Sequence, residues 1–446
     1  MLFSLILAVS ATNAQQSVTL TIDKSIDLVL QRNLTVIQAR NAVDAQQSSS
    51  QAAFGSLLPT LSASGSFSRQ QSWRYNPGDV IWYNGIPIAS DPGTSYQAIN
   101  SYGTSISSSI LLFNGFANTS NVQRASSSLN AAQRTFDRTN QTMMFQTYQQ
   151  FLNIFRLQEL LKVSTDNVKR SQMQLERIVE SNKVGAVALA DVYRQQVQLG
   201  SDELSAIQAQ SNFENAKADF LSFLGVDVNA EYVFDFAGIP SGIDTTEFQR
   251  VNQQYGSTSK LIEQAVGARA DYRASIESYH SSEAGITIAR GGLFPSLSAF
   301  GSYGFNNTEF SKLTDNRSLS LGLSINFPIF SGFSTKNQIE QALIQRKNAD
   351  EQVQQTQRQI VVDIRKALLD LETAEKQLMV TVTSVASAEM DRKIAQEKYN
   401  LNAGTLLDLL IANAGYTTAL SNKVNAVVNY MIAKKQMEYA IGIISK

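Results

Sequence analysis

Apolar residues recur along this chain with two different periods, and each half switches between them at corresponding places. Leu61, Ala63, Gly65 and Phe67 alternate with Thr60, Ser62, Ser64 and Ser66. Leu319, Leu321, Leu323, Ile325 and Phe327 alternate with Ser318, Ser320, Gly322, Ser324 and Asn326. A period of two with one apolar and one polar face predicts a strand. The same reading gives four strands, over about 59–68, 98–113, 295–305 and 318–330. Pro59 and Pro295 open the first and third, where a missing N–H is tolerated. Residues 69–96, with Pro77, Pro87, Pro92 and both tryptophans, read as a long loop holding at most a short hairpin.

Elsewhere the period is helical and close to 3.5. Val361, Ile364, Leu368 and Leu371 step 3, 4, 3, and Leu378, Val382 and Val385 stay on the same frame. Phe145, Tyr148, Leu152 and Phe155 repeat the step in the first half. Residues 116–184 and 333–403 contain no glycine and no proline, so each predicts one uninterrupted helix of about 100 Å. Glu375 and Glu389 fall on the stripe, so the helices are wet over much of their surface and touch partners along a strip.

The halves correspond element by element. Gly115 and Asp191 are as far apart as Gly332 and Asp408, and Asp191 and Gly225 as far apart as Asp408 and Gly442. The first repeat, 15–225, holds a helix, a strand pair, the long helix 116–184 and a return helix 190–224. Residues 226–260 form a mixed segment with a strand and a short helix. The second repeat, 261–446, has a helix, a strand pair, the long helix 333–403 and a return helix 406–441. Residues 1–14, apolar and ending in small residues, read as a secretory signal peptide.

Composition removes whole classes of function. Net charge is −1, so nothing points to nucleic acid. Cysteine is absent and His280 is the single histidine, which leaves no thiol nucleophile and no His-rich metal site. Ser257-Thr258-Ser259-Lys260 has a Ser-x-x-Lys spacing without the partner motifs of an enzyme. No cofactor and no catalytic residue is expected. No stretch is apolar for long enough to be a membrane helix, so a membrane position requires a β-barrel.

Four strands of about ten residues have the length and two-faced character of a barrel wall, yet too few to close one. Several chains must contribute: three give twelve strands, and two or four also satisfy the arithmetic. The fold class is mainly α with β, duplicated, with long helical hairpins and a shared strand wall. A structural coiled-coil rod of the periplasm or cell envelope is the alternative, although a rod has no use for strands.

The repeated order of helix, Leu-Pro-x-Leu strand, strand ending Phe-x-Gly-Phe, long helix, glycine turn, Asp and return helix resembles the TolC family of outer-membrane efflux channels over nearly the whole chain. The resemblance implies a homotrimer with a 12-stranded barrel in outer-membrane lipid and a helical barrel across the periplasm of a Gram-negative bacterium. Residues 226–260 would supply much of an equatorial belt. It implies a passive exit duct docked to a periplasmic adaptor (membrane fusion) protein and an inner-membrane pump of the RND or ABC type, in efflux or type I secretion. Drug, metal, peptide and protein cargo all remain compatible with it.

The resemblance also assigns candidate residues. The tips Val184, Gly185, Ala186 and Ala403, Gly404, Thr405 would meet the adaptor; simple helix capping is the bland alternative. Asp191 would join the polar links that close the inner end, and Asp408 an acidic constriction. Each also serves as an ordinary acid at a helix N-terminus. Tyr399 would stand for the gate tyrosine. The chain departs from the family pattern where Ile411 replaces a second acid, where the second tip is shorter and where no arginine follows Gly404.

Overall fold

A computed structural model describes residues 18–240, 242 and 245–444; the expected signal peptide lies outside them. In chain order the elements are β1 (Val18–Leu20), α1 (Ile22–Arg32), α2 (Leu34–Gly55), β2 (Thr60–Asn76), β3 (Val80–Tyr83), β4 (Ile86–Ala89), β5 (Gly93–Asn114), α3 (Ala117–Lys183) and α4 (Leu189–Leu224). They continue with β6 (Tyr232–Phe234), α5 (Thr245–Tyr255), α6 (Thr258–Ala268), α7 (Ala270–Gly291), β7 (Ser296–Asn307), β8 (Arg317–Asn326), α8 (Ser334–Asn400) and α9 (Leu406–Ile441). The repeats match in length: α3 and α8 have 67 residues each, and α4 and α9 have 36 each. Among the described residues, contacts divide the chain into two compact units, one within 18–43, 132–275 and 352–444, the other of 44–131 and 276–351.

The second unit carries a four-stranded antiparallel sheet ordered β2-β5-β7-β8. Leu319, Leu321, Leu323 and Ile325 on β8 are 66–77% exposed. The opposite face is lined with serine. Ser62 pairs with Ser107 at 2.8 Å and Ser64 with Ser105 at 2.9 Å, hydroxyl to hydroxyl across β2 and β5. A β-bulge between Leu111 and Phe113 shifts the β5–β7 register at the end that leads into α3. There Gly115 and Phe116 both take left-handed φ, 65° and 66°, as do Gly332 and Phe333. A Cβ on Gly115 would meet Phe294 at 2.8 Å, so the strand-to-helix corner depends on that glycine.

The expected loop 69–96 is instead a ribbon. β2 and β5 stay paired up to Asn76 and Gly93, and β3 and β4 resume the pairing in the same register from Val80 and Ala89. Pro77 and Pro92 stand only in the short break between the two ladders, where no ladder hydrogen bond is lost. The turn is Asn84-Gly85, both with positive φ, the usual two-residue hairpin closure. Prolines suggested a loop; cross-strand pairs such as Trp73 with Tyr96, ring centroids 5.3 Å apart, hold a ribbon.

The first unit has its core where the hairpins meet the short elements of 226–268. On α8 the buried stripe is Ile360, Ile364, Ala367, Leu371, Ala374 and Leu378. Leu371, Leu378 and Ile364 lie on it as expected, but Val361 and Leu368 flank it and Val382 is 49% exposed. Two alanines, Ala367 and Ala374, hold places on the buried stripe where larger residues were expected. On α3, Phe145, Tyr148, Leu152 and Phe155 are all buried, in clusters with Ile26 and Ile444 on one side and Val428 on another. β1, too short for any periodic signal, pairs in parallel with β6, the strand expected within 226–260.

Arg269, only 3% exposed, ties this unit together. Its guanidinium donates to Asp271 at 2.6 Å, to Asp363 on α8 at 2.7 Å and to the Ala440 carbonyl on α9 at 3.3 Å. Arg138 of α3 reaches Asp271 at 3.6 Å and covers the Tyr439 ring at 3.9 Å.

Candidate functional site at the helix tips

The two turns follow from local chemistry. In the first, the Gly185 N–H donates to the Asn182 carbonyl and the Ala186 N–H to that of Ser181, both at 2.9 Å. This crossed pair is a Schellman closure, with its left-handed residue at Gly185 (φ 75°). The Asn182 amide donates to Val187 O at 2.8 Å and braces the turn. Val184 is 80% exposed at its outermost point.

The second turn has the same bonds, from Asn402 N to Tyr399 O and from Ala403 N to Lys398 O, but its left-handed residue is Asn402, φ 55°. The expectation that Gly404 makes this turn is corrected. Asn402 holds the place of Gly185, and Gly404 serves close packing instead, since a Cβ there would meet that of Lys398 at 3.0 Å. Asparagine is, after glycine, the residue that best tolerates this conformation.

The acids that follow the turns differ in their bonding. Asp408 is held by its own helix start. Its backbone N–H donates to Thr405 Oγ1 at 3.2 Å, and its carboxylate accepts from the Thr405 N–H at 3.1 Å and hydroxyl at 2.7 Å, a reciprocal capping box. The Thr405 hydroxyl and N–H, with Lys398 nearby, hold the carboxyl below the usual carboxylate range. Asp191 lacks such a cap: Ala188 offers no side-chain acceptor, and the carboxylate pairs with Arg194 at 3.1 Å.

Tyr399 sits where the two hairpins touch. A cluster of Ile178, Val192 and Leu406, with Tyr399, Val187 and Leu410 against it, joins the ends of α3 and α4 to those of α8 and α9. Burial, and then the carboxylate of Asp191, push the Tyr399 phenol above its ordinary value. Among the described residues its hydroxyl has no hydrogen-bond partner. The fold thus brings Tyr399 and Asp191 into one neighbourhood and leaves Asp408 on its own turn.

Behind this cluster lies a polar layer that the sequence reading missed. Ser171 donates to Asp202 at 2.5 Å, and buried Gln195 donates to the Ser171 carbonyl at 3.1 Å, crossing from α4 to α3. Arg170 donates to Asn167 at 3.1 Å and to Thr417 of α9 at 3.3 Å. Arg170 and Arg392 both lie over the Tyr416 ring, at 5.7 and 5.1 Å. Burial, and then Arg392, lower the pKa of Arg170. The only signal in the sequence was a run of serine, glutamine and arginine at helical spacing, which also describes a solvated face. Among the described residues no cluster of His, Asp or Glu could hold a metal ion.

Comparison with known proteins agrees with this architecture. The chain is 22% identical to outer membrane protein TolC of Escherichia coli (strain K12) over 325 residues, 70% of this chain and 64% of that protein. The chain therefore spans a little under two thirds of that relative. It is 21% identical to outer membrane efflux protein BepC of Brucella suis over 372 residues, 83% of this chain and 75% of BepC. Its fold superposes on the crystal structure of outer membrane protein VceC from Vibrio cholerae with a TM-score of 0.77 at 16% identity, covering 94% of this chain and 96% of the other. The family profile described as "Outer membrane efflux protein" matches residues 25–226 and 261–443, and on that extent the chain belongs to the outer membrane efflux protein family.

Proposed function

We propose that this protein is the outer-membrane exit channel of a tripartite efflux pump or type I secretion system: a homotrimeric, passive conduit that opens and closes at its helix tips. The observation that carries the reading is the sheet. It has four strands with β2 and β8 as open edges, an exposed leucine row on one face and serines on the other. An apolar row 66–77% exposed on a single chain needs lipid to cover it, and two unpaired edges need strands of other copies. Three copies supply twelve strands, within the range of outer-membrane barrels.

The helical part supports the same reading. Val184, Gly185 and Ala186, with Ala403, Gly404 and Thr405, offer small, exposed backbone turns to an adaptor, which would connect the duct to an RND or ABC pump in the inner membrane. Tyr399, at the hairpin junction, and Asp191, whose charge acts on its phenol, are the groups we assign to the gate. Asp408 would contribute charge near the axis while remaining bound to Thr405.

Fractionation of the native host tests the proposal. We expect heat-modifiable trimers in the outer membrane, and loss of export or hypersensitivity to toxic compounds on deletion. A soluble monomer in the cytoplasm would overturn it.

A further inference from the structure

The β2–β5 ribbon continues far beyond the sheet that forms the wall. β7 ends at Asn307, opposite Tyr102 and, through it, Phe67. β8 begins two residues lower still, at Arg317 opposite Phe305. From Ser68 to Tyr83 the ribbon therefore has two strands only, rising about 50 Å at about 3.3 Å per residue. It leaves the sheet at the end opposite the Gly115 and Gly332 corners, so it projects away from the helices of its unit. In the channel reading this is the outer side of the cell.

Its tip is apolar on both faces. Val80, Ile81, Trp82, Tyr83, Ile86 and Ile88 are 56–68% exposed. A lone two-stranded ribbon is at best marginally stable in water, and an exposed apolar group of this kind marks a contact surface. The contact is made by side chains: Pro77, Pro87 and Pro92 interrupt the donor rows along the ribbon, which protects open edges against the addition of a further strand.

We infer that this tip docks against the same tip on sister copies of the chain, so that three arms join above the mouth of the channel. The inference rests on the trimeric reading proposed above. Charge favours it over a lipid surface. Residues 75–123 contain no lysine and no arginine, while Asp79 and Asp91 flank the tip; segments that lie on anionic membranes are rich in cations. Reach allows it. Twelve strands about 4.8 Å apart and tilted about 40° enclose a radius of about 12 Å, far less than the arm's roughly 50 Å.

Energetics allow it as well. Six side chains form a smaller patch than the roughly 800 Å² that each partner brings to a free-standing interface. Copies already joined through their sheets, however, hold the tips at effective concentrations in about the millimolar range. A small apolar contact then suffices, and it opens readily when cargo arrives.

The chain has no native cysteine, so single thiols report directly. Purified Tyr83→Cys protein, treated with a short bismaleimide, should run as cross-linked dimer, since one thiol per chain lets each two-armed reagent join only two of the three copies. The added changes Trp82→Glu and Ile86→Glu should lower that yield about tenfold or more at unchanged native mass. If Tyr83→Cys fails to assemble, Ile88→Cys carries the same test. A native trimer in which the tip thiols do not cross-link overturns this inference alone, whereas a native monomer overturns the trimeric reading and this one with it. In a Trp73→Phe background, quenching of Trp82 fluorescence by brominated lipid chains would place the tip in the membrane and also overturn it.

Discussion

Asn402 and Gly185 close equivalent turns with the same pair of backbone hydrogen bonds and the same left-handed φ, 55° and 75°. One tip thus tolerates strain that the other avoids. Asn402→Gly is expected to be neutral or to stabilise the second hairpin by a few tenths of a kcal/mol, whereas Asn402→Val should cost about 1–2 kcal/mol. Thermal unfolding, together with the rate of proteolytic nicking at the tip, measures the difference.

Thr405 and Asp408 are coupled as a cap. Thr405→Ala should cost about 1 kcal/mol and speed amide hydrogen exchange in the first turn of α9, while Ala188, at the same place before α4, has no such bond to lose. The folded carboxyl of Asp408 titrates below its ordinary value. The cap is therefore complete above that ordinary value and is lost as pH falls through the folded one. Hydrogen exchange followed down the acidic range should show protection lost in α9 before α4.

Removing Arg269 takes the main partner from two carboxylates. Arg269→Met keeps the aliphatic stem but leaves Asp271 and Asp363, each 30% exposed, with only the longer contact from Arg138 and the amide of Gln359, respectively. A fully buried pair broken this way costs roughly 3–5 kcal/mol, and partial exposure brings the expectation to about 2–3 kcal/mol. Burial alone would raise the Asp271 carboxyl, but the hydrogen bonds from Arg269 and the charge of Arg138 outweigh it and the net direction is down. Its stabilising effect is then full above the ordinary carboxylate value of 3.8 and fades as pH drops through the folded one. Denaturant titrations from neutral to strongly acidic pH should show a smaller acid loss in Asp271→Asn than in the wild type.

On β8, neighbouring positions should behave oppositely. Leu323 lies in the apolar row, 69% exposed on the single chain, and Leu323→Arg should cost about 2–4 kcal/mol if that row faces lipid. Ser324→Arg, on the other face, should fold nearly normally. The yield of heat-modifiable trimer after refolding into vesicles separates the two.

Glycine and proline carried most of what was legible in the sequence, and they also produced its errors. Their absence from 116–184 and 333–403 marked α3 and α8 to within a few residues, because nothing else interrupts a long helix. Their presence around 77–92 concealed the ribbon, because cross-strand pairing at Trp73 and Tyr96 leaves no periodic trace when prolines sit in the break. The stripe on α8 was read one position off at Val361 and Leu368, since the buried positions include alanines 367 and 374, whose small side chains give little hydrophobic signal. At the tips, Gly404 looked like the turn residue because glycine is the commoner choice; Asn402 takes it because of its position relative to Tyr399 and Lys398. The polar layer of Ser171, Gln195 and Asp202 was hidden for another reason: burial of polar side chains depends on which helix lies opposite, and a single helix's spacing does not report that.

The matched lengths of the two hairpins restrict how this gene can change. Tyr399 fits between Ile178 and Val192 only while α8 delivers it in phase with α3. Deleting one residue from α8 between that junction and the Arg269 cluster would swing everything beyond it by about 100° and withdraw it by about 1.5 Å, turning Tyr399 out of the junction and a polar neighbour in. Insertions and deletions should therefore persist in these rods only as compensated pairs, or as multiples that restore the phase, while the outer ribbon is free to lengthen or shrink.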